Sequence, residues 1–286
     1  MSVPSGFRAA ALAAVLLAWT GCAGHEPASS RTGPGAGSAA RTVRVLVYNI
    51  HAGQDGDGAP NLLRVAHVVD STGADVVLLQ EVDRRTRRSG GVDQVAELER
   101  LTGFQGAFGR TLDYDGGEYG IALLSRWPIV ADTLVHLPVR PPEERAGGSY
   151  EPRGALRAVV AAPAGRVGVL NTHLASSGAD YRIQEVATVR RLADGLRADH
   201  PVTVVGGDFN AEPGSAVIAR MLDAGWVDAW RDCVPADPGF TFPAGEPVKR
   251  IDYLFFPPGV ACRAADVPAT AASDHRPLLV VLEVIP

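Results

Sequence analysis

The chain has 286 residues, a formal net charge of -5 and 46% hydrophobic residues, and its length suits one large α/β domain or two small ones. This composition is that of a globular chain with a real core, and it excludes a disordered polyelectrolyte. The acidic balance argues against tight, non-specific binding to nucleic acid, which needs a basic surface.

The N-terminal segment has the features of a leader followed by a linker. Arg8 and the apolar stretch up to Trp19 are typical of an export signal, so we predict a signal peptide over residues 1–21. The string that ends at Cys22 resembles a bacterial lipobox, in which this cysteine is acylated; an ordinary cleaved signal and an uncleaved anchor are the alternatives. Residues 22–41 are rich in Gly, Ala, Ser and Pro and are predicted to be a flexible tether.

Residues 42–286 are predicted to form one domain in which strands outnumber helices. In chain order the apolar patterns predict strand 43–50, helix 61–73, strand 75–80, helix 93–102, strands 119–125, 129–137, 155–161 and 166–172, helix 180–199, strand 202–206, helix 215–223, and strands 251–256 and 278–284. Because helices alternate with strands in each half, we expect an α/β fold in which two packed sheets carry helices on their outer faces.

Polar side chains stand where several of these strands end, which is where α/β proteins place their sites. Asn49 ends the first strand, Glu81 follows the second, and His173 follows the strand 166–172. A carboxylate that emerges from a buried strand is costly unless it meets a cation or hydrogen bonds, and Mg²⁺ would supply the cation. The alternatives are a turn-capping amide, a salt bridge to the arginines at 84–88, and a structural histidine.

The most specific motif is the segment 206–210, which reads GGDFN. Its two glycines allow a sharp turn after a buried strand, and Asp208 and Asn210 are spaced to point to the same side. A carboxylate at this place can orient a nucleophile or take a proton, and an amide can hold phosphate or water. An ordinary turn rich in Asp and Asn is the alternative.

Two further motifs near the C-terminus form a pair, RIDY with Asp252 and SDHRP with Asp274 and His275. Adjacent Asp and His can place one group on a metal ion and the other on the substrate. Asp252 could then hold the imidazole of His275 in a single tautomer.

The order of these motifs along the chain resembles that of the endonuclease/exonuclease/phosphatase (DNase-I-like) superfamily, and the resemblance runs from Val43 to Val284. It implies a four-layer α/β sandwich of two packed, mostly antiparallel sheets flanked by helices. Within the superfamily the segments 48–53, 79–89 and 116–120 are similar to a bacterial branch of metal-dependent hydrolases, which is related to proteins linked to GPI-lipid remodelling.

The resemblance implies a divalent cofactor, Mg²⁺ or Mn²⁺. By this resemblance Glu81 is the main metal ligand, Asn49 is the amide that sets its carboxylate, and Asp274 is a further acid of the metal site.

The resemblance also implies the groups that act on the phosphoester. Asp208 and Asn210 correspond to the pair that orients the attacking water and the phosphate, and His173 to a phosphate contact. His275 corresponds to the histidine that serves as general acid/base or stabilises the phosphorane, and Asp252 to its partner. Water would attack in line, with no covalent enzyme intermediate.

Substrate contacts are expected from a basic residue near the strand 155–161 and from an aromatic one. Arg153 lies before that strand and Arg157 within it, and either could be the basic residue. Tyr119, in the family-like stretch 116–120, is the expected aromatic contact.

Three functions are compatible with these residues. The favoured one is a phosphodiesterase or phosphatase for a lipid headgroup or another small envelope phosphoester, acting as a lipid-anchored, extracytoplasmic monomer. An extracytoplasmic nuclease would need an arginine-lined groove, for which 84–88 is the local candidate. A non-catalytic binding module of the same fold would be expected to lack some of the key acids, and none is missing.

Two cysteines, Cys233 and Cys262, remain in the domain. Outside the cytosol a disulfide between them is allowed, and two buried free thiols are the alternative.

Overall fold

The computed structural model describes residues 42–139 and 151–284. Its strands are β1 Thr42–Asn49, β2 Val76–Arg84, β3 Gln105–Tyr114, β4 Gly117–Ser125, β5 Ile129–His136, β6 Gly154–Ala162, β7 Gly165–His173, β8 Thr203–Asp208, β9 Val227–Asp228, β10 Asp252–Phe256, β11 Val260–Asp266 and β12 Leu278–Val284. Its helices are α1 Leu62–Thr72, α2 Gln94–Thr102, α3 Ala179–Asp199, α4 Ala216–Leu222 and α5 Ala229–Cys233. The predicted signal peptide, the tether and Cys22 lie outside the described residues.

The strands form two six-stranded sheets. Sheet 1 has the order β11-β12-β1-β2-β4-β3, and sheet 2 has the order β5-β6-β7-β8-β10-β9. Among the described strands one pair in each sheet is parallel, β1 with β2 and β7 with β8, and the remaining pairs are antiparallel. The predicted architecture of two mostly antiparallel sheets is therefore confirmed.

The two sheets repeat one arrangement. In sheet 1 the parallel pair β1 and β2 is joined by α1 and flanked by β12 and β4; in sheet 2 the pair β7 and β8 is joined by α3 and flanked by β6 and β10. The carboxyl ends of both parallel pairs carry the polar residues singled out above. Each sheet therefore places the ends of two strands next to these polar residues.

The core has three parts that follow the two faces of each sheet. In β1 the side chains of Val43, Val45 and Val47 pack between the sheets, while Leu46 and Tyr48 pack under α1 and α2. The outer face of sheet 2 is covered by α3 and α4 in the same way. Because both faces of these central strands are buried, they read as continuous apolar runs, and each fully buried Leu or Val contributes about 1.5–3 kcal/mol.

Four elements were not expected from the sequence: β3, β9, α5 and β11. The edge strand β3 alternates buried and exposed residues and carries Gly106 and Gly109, so its apolar signal is weak. A side chain at Gly109 would collide with Leu134 of β5, which shows that these glycines serve close packing rather than a turn.

Cys233 in α5 and Cys262 in β11 form a disulfide, with their Cα atoms 5.6 Å apart. The bond joins a helix that follows β9 of sheet 2 to an edge strand of sheet 1. Among the described residues, no helix combines the length and the hydrophobicity that crossing a bilayer requires.

We expect the disulfide to stabilise the domain, because it closes a loop across 29 positions of the chain. Replacing both cysteines by alanine should lower the free energy of unfolding by about 3–4 kcal/mol. Thermal unfolding with and without reductant measures this. The wild type should lose stability on reduction while the double variant shows no response, and an equal response of both proteins would contradict the assignment.

Candidate active site

A β-bulge in β2 turns Glu81 out of sheet 1. The register with β4 shifts between Leu79 and Val82, and Glu81 has a φ of +56°. A non-glycine residue in this left-handed region costs roughly 1–2 kcal/mol, so the bulge persists only because neighbouring groups hold it. The result is that the carboxylate leaves the sheet and lines a cavity.

Asn171 of β7 holds the bulge from the opposite sheet. Its Nδ2 donates to the carbonyl oxygens of Leu79, at 2.9 Å, and Ala122, at 2.8 Å, and its Oδ1 accepts from Gln80 Nε2 at 2.7 Å. Asn171 and Gln80 are fully buried. One amide therefore satisfies two carbonyls at the bulge, which would be costly to leave unpaired in the core.

The glycine turn of β8 brings Asp208 beside His173. A Cβ at Gly207, whose φ is +144°, would collide with the backbone carbonyl of Thr172 in the neighbouring strand. Only glycine allows this close approach. Asn210 follows with a φ of +47°, and its backbone N–H donates to Asp208 Oδ1 at 2.8 Å.

The amide of Asn49 links the carboxylates of the two halves. Its Nδ2 donates to Glu81 Oε1 at 3.0 Å and to Asp208 Oδ2 at 3.2 Å. The backbone carbonyl of Asn49 in turn accepts from Ser273 Oγ at 2.8 Å. The segment that carries Asp274 and His275 is thereby fixed to the end of β1.

His275 lies between two carboxylates. Its Nδ1 is 2.9 Å from Asp252 Oδ2, and its Nε2 is 3.8 Å from Asp208 Oδ2. Burial by itself would lower the pKa of His275, but the charges of Asp252 and Asp208 outweigh it and raise the pKa to about 10. The ring of Phe242 covers the imidazole at 4.8 Å between centroids. The sequence prediction that Asp252 holds this histidine agrees with the geometry.

His173 has the opposite electrostatic environment. Its pKa lies well below the ordinary value because the ring is buried and Arg153 is close, so the imidazole is neutral. Arg153 Nη1 lies 3.1 Å from Nδ1 and can only donate, which leaves the proton on Nε2, 3.5 Å from Asp208 Oδ2. Asn210 Nδ2 lies 3.1 Å from the same Nε2 and donates to the carbonyl of Leu174.

Asp208 is the centre of this arrangement. Burial raises its pKa, and the charge of Asp252 raises it further, against the opposing effects of His275 and two hydrogen bonds. Glu81 forms no ion pair with any residue of the described ranges. The Glu81 carboxylate therefore lacks a cationic partner among the described residues. Together with Asp208, which shares the amide of Asn49, it forms a donor set that fits a hard divalent cation.

A second group with metal-binding character overlaps the first. Ligand atoms of Asp208, Asp252 and His275 all lie within 4.8 Å of one another, and all three residues are buried. Because Nδ1 of His275 is already bonded to Asp252, we interpret this trio as an acid–imidazole–acid chain rather than as the cage of an oxygen-preferring ion such as Mg²⁺.

The remaining predicted residues differ in whether they line the cavity. Asp274 lines the same cavity as Glu81 and lies 4.0 Å from His51 Nδ1. Arg153 is buried, bonds Tyr119 and pairs with Glu151 at 3.0 Å, and both it and Tyr119 line the cavity. Of the two arginines predicted as alternatives, Arg153 lines the cavity and Arg157 lies outside its lining.

The cavity has a volume of about 730 Å³ and opens to solvent. Its floor holds the acids and histidines described above. One wall comes from β3, β4 and the segment after β2, and the other from the start of α3 and α4, with Ile183 and Val217. Such a space holds a small molecule or a headgroup.

The Endonuclease/Exonuclease/phosphatase family matches residues 46–275, a span that begins in β1 and ends at His275. The chain belongs to this family. Members of the endonuclease/exonuclease/phosphatase family hydrolyse phosphoester bonds, and the family in general depends on a divalent metal ion.

Relatives in sequence and structure agree with this assignment. The uncharacterized protein YbhP of Escherichia coli (strain K12) is 28% identical over 250 residues, which cover 83% of this chain and 94% of that protein. An endonuclease/exonuclease/phosphatase from Beutenbergia cavernae DSM 12333 is 25% identical with a TM-score of 0.66, over 86% of this chain and 72% of that one.

A mannosyl-6-phosphatase of Bacteroides thetaiotaomicron VPI-5482 has a TM-score of 0.70 at 18% identity, over 84% of this chain and 99% of that one. The human Nocturnin catalytic domain has a TM-score of 0.65 at 20% identity, over 85% and 93% of the two chains. At these identities the two structures show that the fold is shared.

Sequence reasoning missed the groups that support the site. Glu185 and Arg182 of α3 fix the segment after His173: Glu185 Oε2 accepts from the N–H of Ala175 at 2.8 Å, and Arg182 Nη1 donates to the carbonyls of Ala175 and Ser176. Asn171 lies inside the predicted strand 166–172 and was not expected to have a role. A buried polar residue inside an apolar strand or helix face was the available signal.

We expect Glu185 to make stability depend on pH. Burial raises its pKa from 4.5 to about 7, so between these values the unfolded chain releases a proton that the folded protein keeps. Stability should therefore fall as pH rises from about 4.5 to about 7. Glu185→Gln should gain roughly 3–5 °C in melting temperature over the wild type at pH 8, and little at pH 4.5.

Thermal melts of both proteins across this pH range measure the difference. Glu97→Gln, which changes a partly exposed acid on α2 that pairs with Arg100, is the matched control and should gain no stability at pH 8. Parallel pH profiles for Glu185→Gln and the wild type would refute the role assigned to this carboxylate.

Proposed function

We propose that this protein is a metal-dependent phosphoesterase that hydrolyses its substrate by in-line attack of water. One observation carries the proposal: a single oxygen, Asp208 Oδ2, lies within 3.8 Å of nitrogens from Asn49, His173 and His275. These groups come from both sheets and converge on the floor of one cavity. Family membership supports the phosphoester bond as the one that is broken.

Glu81 is the residue we propose to hold the metal, with Asn49 orienting its carboxylate and Asp274 as a further acid of the same cavity. A bound Mg²⁺ or Mn²⁺ would neutralise charge that develops on the phosphoryl group and on the leaving oxygen. The excess of carboxylates over cations around Glu81 and Asp208 supports this part of the proposal.

Asp208 is the proposed acceptor of the proton of the attacking water. Its raised pKa makes it a stronger base than an exposed aspartate, and Asn210 fixes its orientation through the backbone N–H. His275, held protonated by Asp252, offers Nε2–H to a phosphoryl oxygen and stabilises the charge of the transition state.

Arg153 and His173 are proposed to position the phosphoryl group. The guanidinium of Arg153 fixes the tautomer of His173, so the neutral imidazole presents an N–H towards the cavity floor. The amide of Asn210 is held beside the same nitrogen by its hydrogen bond to the carbonyl of Leu174. Preorganised donors of this kind need no reorganisation when negative charge develops.

We propose a small or lipid-headgroup phosphoester as the substrate, rather than nucleic acid. Three of the four arginines in the segment 84–88 are already paired with acids: Arg84 with Glu118, Arg87 with Asp115, and Arg88 with Asp83. They therefore offer little net charge to a phosphate backbone, and the chain as a whole carries a net charge of -5.

The proposed setting is the cell envelope. The predicted signal peptide, the lipidation of Cys22 and the tether up to residue 41 would hold the domain outside the cytosol and close to membrane substrates. The intramolecular disulfide supports an oxidising compartment.

Hydrolysis of bis-p-nitrophenyl phosphate, sphingomyelin and plasmid DNA tests the proposal. We expect turnover that requires Mg²⁺ or Mn²⁺ and stops with EDTA. Glu81→Gln and His275→Gln should each lower kcat about 10²- to 10⁴-fold, because one removes a charge from the metal site and the other a transition-state donor.

Matched controls are Glu97→Gln on α2 and His67→Gln on α1, which change the same residue types on exposed helix faces and should retain full activity. The preferred substrate separates a lipid or small phosphoester from nucleic acid. Metal-independent turnover, or full activity of both site variants, would contradict the mechanism. Absence of turnover and of metal binding would instead favour the non-catalytic module.

A further inference from the structure

An exposed aromatic residue stands on the cavity wall, away from the reacting groups. Tyr114 ends β3, is 43% exposed, and lines the same cavity as Glu81 and Asp208. An aromatic side chain exposed at the mouth of an active-site cavity leaves apolar surface in water, which a bound ligand can cover. Leu112, two residues earlier on the same strand, also lines the cavity.

The hairpin tip next to Tyr114 is bonded to the segment that follows β2. At the hairpin tip Asp115 accepts hydrogen bonds from Arg87 Nε, at 3.0 Å, and from the N–H of Arg88, at 2.7 Å. The N–H of Arg87 donates to the carbonyl of Asp115 at 3.0 Å. The ring itself lies against the guanidinium of Arg88 and 6.3 Å from the ring of Tyr119, between centroids. These contacts place the ring before any ligand arrives, which lowers the entropic cost of binding.

Arg88 adds directed hydrogen-bond donors to the same wall. Its Nε and Nη2 bond the fully buried carboxylate of Asp83, both at 2.7 Å, and its guanidinium lies 4.6 Å from the ring of Tyr114 and 5.3 Å from that of Tyr119. Its remaining nitrogen, Nη1, has no acceptor among the described residues, and Arg88 lines the cavity.

The ring of Tyr114 and the guanidinium of Arg88 determine which ligands this wall of the cavity can bind. The face of a sugar or cyclitol ring carries C–H groups that pack on an aromatic ring, and its rim carries hydroxyls that accept from a guanidinium. A quaternary ammonium headgroup is disfavoured, because Arg88 already occupies the cation position beside both tyrosine rings and would repel a second cation.

We propose that Tyr114 and Arg88 form the subsite for the leaving group, and that it takes the polyol ring of a sugar or cyclitol phosphoester. The inference rests on the proposed hydrolase function and adds the chemistry of the alcohol that is released. The ring can belong to a lipid headgroup or to a free phosphate ester, since both present the same face and hydroxyls.

Steady-state kinetics with matched substrates tests the subsite. With soluble substrates, inositol 1-phosphate is compared with acyclic glycerol 3-phosphate in the free arm of the experiment. In the lipid arm, vesicles of phosphatidylinositol are compared with vesicles of phosphatidylcholine. AMP serves as the substrate that carries a nucleobase. We expect the wild type to prefer the polyol ring in at least one arm, and the arm identifies its source. Tyr114→Ala should reduce the ratio of cyclic to acyclic kcat/KM about tenfold.

Tyr114→Phe keeps the ring and should keep the preference, and Phe240→Ala removes an exposed aromatic that does not line the cavity and should leave the kinetics unchanged. Equal losses on cyclic and acyclic substrates in Tyr114→Ala, or a wild-type preference for phosphatidylcholine or AMP, would overturn the assignment of the subsite while leaving the hydrolase in place.

Saturation-transfer NMR with inositol 1-phosphate separates the subsite from catalysis. We expect saturation to pass from the wild-type protein to the protons of the inositol ring, whether or not the ester is hydrolysed. This transfer should be lost in Tyr114→Ala. Transfer without turnover of any phosphoester would support the subsite while the proposed function fails, and no transfer in the wild type would overturn the subsite.

Discussion

The amide of Asn171 is the interaction on which the site depends. It reaches from sheet 2 to the bulge of sheet 1 and binds the carbonyls of Leu79 and Ala122. Without it the bulge would leave polar groups unpaired in the core, and Glu81 would lose the support for its left-handed backbone. The packing of the two sheets therefore also sets the direction of the Glu81 carboxylate.

The buried charges of the site are balanced by their immediate neighbours. Asp208 and Asp252 are buried close together, and the cost of confining two acids is offset by protonated His275 between them. Burial, with the nearby guanidinium of Arg153, lowers the pKa of His173 and keeps it neutral, so two histidines a short distance apart differ in charge. Opposite protonation of neighbouring groups is what acid–base chemistry at one phosphate requires.

The sequence predicted central strands such as β1 and β2 because both faces of these strands are buried, which makes them continuous apolar runs. It also predicted the strand-end residues, since Asn49, Glu81, His173 and Asp208 follow those runs directly. It missed the edge strands β3, which carries Gly106 and Gly109, and β11, which carries the exposed polar residues Arg263 and Asp266. It could not supply the role of Asn171, because that role is a contact with a strand about 90 positions away.

The pairing of β1 with β12 has a consequence for how the candidate site is assembled. The first strand of the domain is completed by its last, and His275 lies just ahead of that last strand while Asn49 ends the first. A chain emerging from the ribosome or from a translocation pore therefore exposes Glu81 and Asp208 long before it exposes His275. The proposed catalytic site is complete only when the whole domain has been delivered, and a chain truncated before His275 lacks it.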